Sequence, residues 1–270
     1  TKKRVYITAL YLQNDDAGKE ILHALYQAKQ KNPQLNVNIF VDAHRAQRGL
    51  IGDPDCLVNQ DFYRQIDEQY QYKINLYGVL VKTKELFGVL HLKGLMFDDT
   101  VIYTGASIND VYLHQGDKCR FDRYHILNCG DLADTMIDYL HRNIINPGFS
   151  PLLNTTHRLD KKTQKKHAIK QKSLLKKSNY NTKVHTDKEG KIKVRPMVGF
   201  GTKDNKVNSC IRDIFKDCRK TLTLFTPYFN LPKVLSKDLK KTLSRGVSVT
   251  MVIGDKIAND FFIPSDQEFS

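Results

Sequence analysis

No stretch of the 270 residues approaches the roughly 18 uncharged apolar positions that a membrane span requires. Contact with a bilayer is therefore expected from the surface only. The opening residues also lack a charged n-region, an apolar h-region and a small-residue cleavage site, so export is not expected. Cysteine is scarce: the five (Cys56, Cys119, Cys129, Cys210, Cys218) are odd in number and show no C-x-x-C spacing. That argues against a disulfide framework and a zinc site, and for a reducing, cytoplasmic setting. Acidic residues are few, 29 against 43 Lys and Arg, and the net charge is +14. Such a surface should attract polyanions: phospholipid headgroups, nucleic acid or a phosphorylated substrate. Apolar material is not lacking. With 40% hydrophobic positions, 13 Phe and 13 Tyr, a disordered chain is excluded, and one or two real cores can form.

The positive charge is concentrated. From His157 to Arg195 fourteen Lys or Arg face three acids, Asp160, Asp187 and Glu189. The remainder is close to balanced, unlike a dedicated nucleic-acid-binding domain. Composition allows this connector to be a solvated linker or an electrostatic contact with anionic lipid, worth about 1 kcal/mol per basic residue near the surface. Leu159, Ile169, Leu174 and Leu175 make a poor apolar stripe, so attraction without insertion is expected.

Hydrophobic periodicity predicts a strand over Val5–Leu12, a helix through Ile21, Leu22, Leu25 and Ala28, and a buried strand through Val37, Ile39 and Val41. This is a βαβ unit with parallel pairing. A helix over Asp61–Tyr70 follows, then strands over Lys73–Val81, Val89–Phe97 and Val101–Thr104. After the connector the pattern recurs: helix Lys206–Cys218, strand Leu222–Phe225, helix Leu231–Leu243, strand Val247–Ile253. Leu10-Tyr11-Leu12-Gln13 aligns with Pro227-Tyr228-Phe229-Asn230. The fold class is thus α/β, a mixed sheet flanked by helices, in two tandem repeats with the second cut short. The divisions fall at 1–150, 151–195 and 196–270.

The segment that carries chemistry is His91-Leu92-Lys93-Gly94-Leu95-Met96-Phe97-Asp98, followed by Gly105-Ala106-Ser107-Ile108-Asn109. Two positions apart on a strand, His91 and Lys93 would leave one face. Imidazole beside ammonium suits a phosphodiester: lysine neutralises non-bridging oxygens, and neutral imidazole attacks phosphorus or passes a proton near pH 7. Asp98, at the end of the same strand, can pair with Lys93 or hold a histidine tautomer. Ser107 and Asn109 can donate to phosphate oxygens. The remaining histidines have no ligand spacing, so neither metal nor cofactor is expected, and His44 and His125 are expected to be structural or to line a substrate rim.

His91, Lys93, Asp98, Ser107 and Asn109 resemble the H-K-D motif of the phospholipase D superfamily. The text around them, Asp42 to Gly49, Gly105 to His114, Asp122 to His125, Thr226 to Pro232 and Ala258 to Phe261, resembles the bacterial phosphatidylserine synthases of that type. The resemblance covers nearly everything outside the connector. It implies a phospholipase D-like fold and a double displacement without metal: phosphatidyl transfer from CDP-diacylglycerol to L-serine, with release of CMP. It also implies peripheral association with the inner face of a membrane, the anionic surface being met by residues 157–195, and nonspecific association with nucleic acid or ribosomes. Other phospholipase D-type phosphodiesterases, cardiolipin synthase or a nuclease, share this chemistry, as would an inactive polyanion-binding fragment. Two departures stand out. Ala106 follows the glycine where serine is usual. The superfamily uses two motifs, yet no histidine lies between Pro196 and Ser270. The isolated chain is therefore expected to hold half of a catalytic apparatus and to be inactive alone.

Overall fold

The alternation of βαβ patterns becomes a real sheet in the computed structural model of the chain. The structure describes residues 1–47, 57–82, 88–116, 119–182, 192–201, 205–226 and 228–255. The sequence readings at Arg48, Gly49, Pro227 and Ala258–Phe261, and Cys56, lie outside the described residues. By compactness the chain divides into Thr1–Val198 and Gly199–Ser270.

In the first unit, β1 (Arg4–Thr8) and β2 (Asn36–Asp42) pair in parallel across α1 (Asp16–Lys31). The Asp15 carboxylate accepts from Gly18 N at 2.9 Å and starts the helix. Gly18 is required there, because an added Cβ would meet the Gln13 carbonyl oxygen. Next come α2 (Asn59–Glu68), β3 (Asn75–Val79), β4 (Gly94–Phe97), β5 (Thr100–Thr104), the single turn α3 (Asp110–Leu113), β6 (Tyr124–Asn128), α4 (Gly130–Leu140) and α5 (Lys161–Lys177). The mixed sheet has the order β3-β2-β1-β4-β5-β6. β4 runs antiparallel to β1, while β3 is parallel to β2. Val5, Ile7, Val37, Ile39 and Val41 pack with Leu22, Tyr26, Phe62 and Tyr63 in the main core. Every β2 position after Asn36 is buried, as expected of a central strand covered on both faces.

Elements that differ from the sequence reading include the unanticipated α4, β6 and α5. β6 was not anticipated: it is an edge strand whose positions are almost all exposed, so no apolar alternation marks it. The basic segment is not merely a linker, since Asp160 caps α5 by accepting from Lys162 N and Thr163 N, both at 2.9 Å. Ala168, Gln171 and Leu175 are buried along it, and Gln171 Nε2 donates to Asn143 O at 2.7 Å. One face of α5 thus rests on the first unit while its lysines stay outside. Residues 151–153 run along β3 as well, with Gly78 N donating to Pro151 O (2.8 Å) and Leu153 N to Leu76 O (2.7 Å).

The second unit holds α6 (Lys206–Asp217), β7 (Thr221–Thr226), α7 (Lys233–Ser244) and β8 (Ser248–Ile253), with β7 and β8 parallel. Phe215, Leu222, Leu235, Leu239 and Val247 form its small core. Arg212 Nε reaches Asp238 Oδ2 at 2.6 Å, tying α6 to α7.

Candidate active site

Strand direction gathers the chemistry. The carboxyl ends of β1, β2 and β5 and the amino ends of β4 and β6 all lie at one edge of the sheet, because β1 pairs in parallel with β2 and antiparallel with β4, and β5 antiparallel with β4 and β6. That edge carries Tyr11, Arg45, His91, Lys93, Ser107, Asn109 and Asp122 from five separate segments. Open α/β sheets bind ligands at such places, where the strand order reverses.

His91 and Lys93 were expected on a strand beginning at Val89, and this is corrected. β4 begins only at Gly94. Gly94 has φ +142, which strains a side-chain-bearing residue, and an added Cβ would lie 2.5 Å from Met136 Cε. Before this bend the chain has left the ladder, and Leu90 N donates to Asp42 Oδ2 at 2.7 Å instead. Three residues on, Lys93 Nζ donates to Ala106 O at 3.0 Å. Two side-chain anchors, rather than strand pleating, therefore fix this segment. Lys93 is 8% exposed, whereas His91 reaches solvent.

The electrostatics favour an anion. Loss of hydration pushes the His91 imidazole below its ordinary value, and the charges of Lys93 and Arg45 push the same way, against a smaller upward pull from its own backbone. Burial also lowers Lys93, with the Asp122 carboxylate pulling it back up. A bound phosphate would favour the protonated forms that loss of hydration disfavours here.

Asn109 is nearly buried and works twice. Its oxygen accepts from Tyr112 N at 3.3 Å to cap α3, and its Nδ2 lies 3.5 Å from the Tyr11 hydroxyl. Ser107, half-buried, precedes it on the same loop. Asp98 is not brought to this group. It lies at the other end of β4, roughly 16 Å along the strand from Lys93 at about 3.3 Å per residue. There its carboxylate accepts from Lys2 N (2.7 Å), Lys3 N (2.9 Å) and Arg4 N (3.0 Å). Slight burial raises that carboxyl, but the amides of Lys2, Arg4 and Lys3 outweigh it and hold it below the usual range. Asp98 therefore fastens the start of β1 and touches neither His91 nor Lys93.

Sequence reasoning gave no role to Asp42, Arg45 or Tyr11. Asp42 is fully buried at the end of β2, and its Oδ1 accepts from His44 N (2.9 Å) and Arg45 N (3.0 Å). A buried acid closing an apolar strand was the available signal. A His44 ring nitrogen lies 2.8 Å from Lys82 O, and His125 sits on exposed β6 opposite Tyr103. Among the described residues no cluster of three or more His, Cys, Asp or Glu could hold a metal.

The chain is 41% identical over 272 residues to a CDP-diacylglycerol–serine O-phosphatidyltransferase of Haemophilus influenzae, covering 99% of this chain and 60% of that protein. It is 42% identical over 270 residues to the Escherichia coli protein of the same activity, PssA, again with 99% of this chain, and 59% of that one. About half of the chain, 49%, also matches a mitochondrial CDP-diacylglycerol–glycerol-3-phosphate 3-phosphatidyltransferase of Gallus gallus, at 31% identity over 147 residues and 26% of that protein. The crystal structure of the Haemophilus influenzae phosphatidylserine synthase superposes with a TM-score of 0.87 at 38% identity, covering 100% of this chain and 60% of that one. The chain thus spans about 60% of the length of these bacterial relatives. No family model matches it.

Proposed function

From its homology with the bacterial CDP-diacylglycerol–serine O-phosphatidyltransferases, which runs along nearly all 270 residues, we propose that the chain supplies one half of a phosphatidyltransferase site. A histidine attacks the phosphatidyl phosphorus of CDP-diacylglycerol and CMP departs. The hydroxyl of L-serine then displaces the histidine and yields phosphatidylserine. His91 is one of the two histidines of this cycle. Its depressed basicity keeps it neutral at physiological pH, as both nucleophile and proton acceptor require. Lys93, already desolvated beside Ala106, neutralises the phosphoryl oxygens as charge builds on them. Asn109 Nδ2 and the Ser107 hydroxyl donate to the same oxygens. Asp98 acts at a distance by holding β1 against β4.

The observation that carries this reading is the meeting of His91, Lys93 and Asn109 at one sheet edge in a homologue of these transferases. Incubating the full-length protein with CDP-diacylglycerol and labelled serine tests it. Lipid-soluble label and released CMP are expected, and both should vanish in His91→Ala. An undiminished rate in that variant removes His91 from the reaction. The match to the mitochondrial glycerol-3-phosphate transferases favours a second reading, in which the same first half-reaction serves a different acceptor. Replacing labelled serine by labelled glycerol 3-phosphate separates the two.

The outward lysines of α5, among them Lys161, Lys162, Lys165 and Lys166, are exposed and suit an anionic bilayer on the inner face of the membrane, where the lipid substrate resides. No described helix is long and apolar enough to cross it. Each basic residue near the surface adds about 1 kcal/mol of attraction, and salt removes it. Vesicles containing phosphatidylglycerol should retain the protein at low salt and release it at high salt. Retention that ignores salt would count against this face, and competition by duplex DNA would measure its nonspecific affinity for nucleic acid.

A further inference from the structure

A second cation flanks the reacting centre. We propose that Arg45, together with Tyr11, forms a subsite for a second phosphate, that of the departing nucleotide in a pyrophosphate-linked substrate. The inference rests on the reading above, in which the substrate is a cytidine-diphosphate lipid.

The geometry comes from one carboxylate. Asp42 is fully buried, and its two oxygens divide their work: Oδ1 accepts from Arg45 N at 3.0 Å and Oδ2 from Leu90 N at 2.7 Å. The turn bearing Arg45 and the segment bearing His91 are therefore fastened to the same group, and their spacing is built in. Asn59 Nδ2 donates to Arg45 O at 3.3 Å and holds that turn from the other side. The guanidinium carbon lies over the Tyr11 ring, 5.9 Å from its centroid, within reach of a cation–π attraction. The Tyr11 hydroxyl in turn lies 3.5 Å from Asn109 Nδ2, which links this pair to the phosphate donors beside Lys93.

A single phosphodiester carries one negative charge, and Lys93 answers it. A pyrophosphate brings a second charged phosphate, and the fork of an arginine matches two of its oxygens at once. In the first displacement a P–N bond forms to histidine while the bond from the phosphatidyl phosphorus to the bridging oxygen breaks. The electron pair leaves on that oxygen, so CMP departs with one more negative charge on its phosphate and needs no proton. Arg45 stabilises the charge where it appears.

The test compares wild type, Arg45→Gln and Arg45→Lys of the full-length protein. Each is measured for kcat/KM on CDP-diacylglycerol, for kcat/KM on the single phosphodiester bis(p-nitrophenyl) phosphate, and for CMP affinity by calorimetry. Arg45→Gln should lower the ratio of the two specificity constants at least ~10-fold and weaken CMP about 10-fold, the scale of losing one charge-assisted pair. Arg45→Lys should recover part of both. Equal loss on both substrates, or unchanged CMP affinity, overturns the proposal. Should wild type cleave the simple diester but not the cytidine lipid, while Arg45→Gln still loses CMP, the subsite stands and the choice of lipid substrate falls.

Discussion

The chain contains the same strand–helix–strand sentence twice, and the two copies meet different fates. β1-α1-β2 lies at the centre of a six-stranded sheet, and β2 is buried at every position after Asn36. β7-α7-β8 makes a two-stranded sheet in which Phe225 is 76% and Ile253 56% exposed. Both copies satisfy the local rules for parallel pairing. Among the described residues, what separates them is the number of neighbouring strands that exclude water. Asp42 can hold a carboxylate in a dry interior and use it to aim two loops only because strands flank it on both sides.

The largest test of this contrast is catalytic. Lys93→Ala in the full-length protein should cost about 10²–10³-fold in CMP release, the range for removing one preorganised donor. An equal loss from Lys233→Ala, on exposed α7 of the second unit, would erase the difference between the copies. Core truncation comes next. Leu22→Ala, in the fully buried α1 core, should destabilise by about 3–5 kcal/mol, and Leu239→Ala in the small second core by about 2–3 kcal/mol. Denaturation followed by probes in each unit would show whether the ranking reverses.

Asp98 gives a smaller effect of opposite kind. Asp98→Asn should cost about 1–2 kcal/mol after discounting for its exposure and spare the kinetics of the phosphoryl step. Its folded pKa is depressed, so its contribution is present above the ordinary carboxylate value near 3.9 and is lost as pH falls through the folded value. Acid titration of stability in wild type and variant should therefore converge at the lowest pH. For His91 the sign concerns function as well. A depressed imidazole stays neutral below the ordinary value of about 6.5, so the acid limb of the rate profile should lie below that pH. An acid limb at or above it would remove the loss of hydration, and with it the repulsion from Lys93 and Arg45, as influences on the reacting imidazole. Smallest of all, Ile253→Thr on the open sheet face should change stability by no more than about 0.5 kcal/mol.

Much of this was legible in the residues. The Val37-Ile39-Val41 and Leu222–Phe225 runs fall within real strands, and the segments bearing His91, Lys93 and Asn109 lie at one end of the sheet. Other features were not legible, among them the start of β4 and the helix α4. β6 carries no alternation because its positions are almost all exposed. The basic run hid a helix because only Ala168, Gln171 and Leu175 of α5 are buried, too few to make a stripe. Asp98 read as a partner of Lys93 or a holder of a histidine tautomer because H-K-D spacing does not say which end of the strand meets the substrate.

Periodicity and motif spacing, which report local backbone and chemistry within a few residues, were sufficient to place the βαβ units, the segments bearing His91, Lys93 and Asn109, and the concentration of positive charge. Folding alone decided that Leu90 N would turn to a carboxylate 48 residues away, that Lys93 would dock on Ala106, and that Asp98 would bind the amides of residues 2–4. Those bonds join segments that lie apart in sequence, the first two in a water-poor interior and the last at an exposed strand end. Their partners are chosen by packing, on which local periodicity is silent.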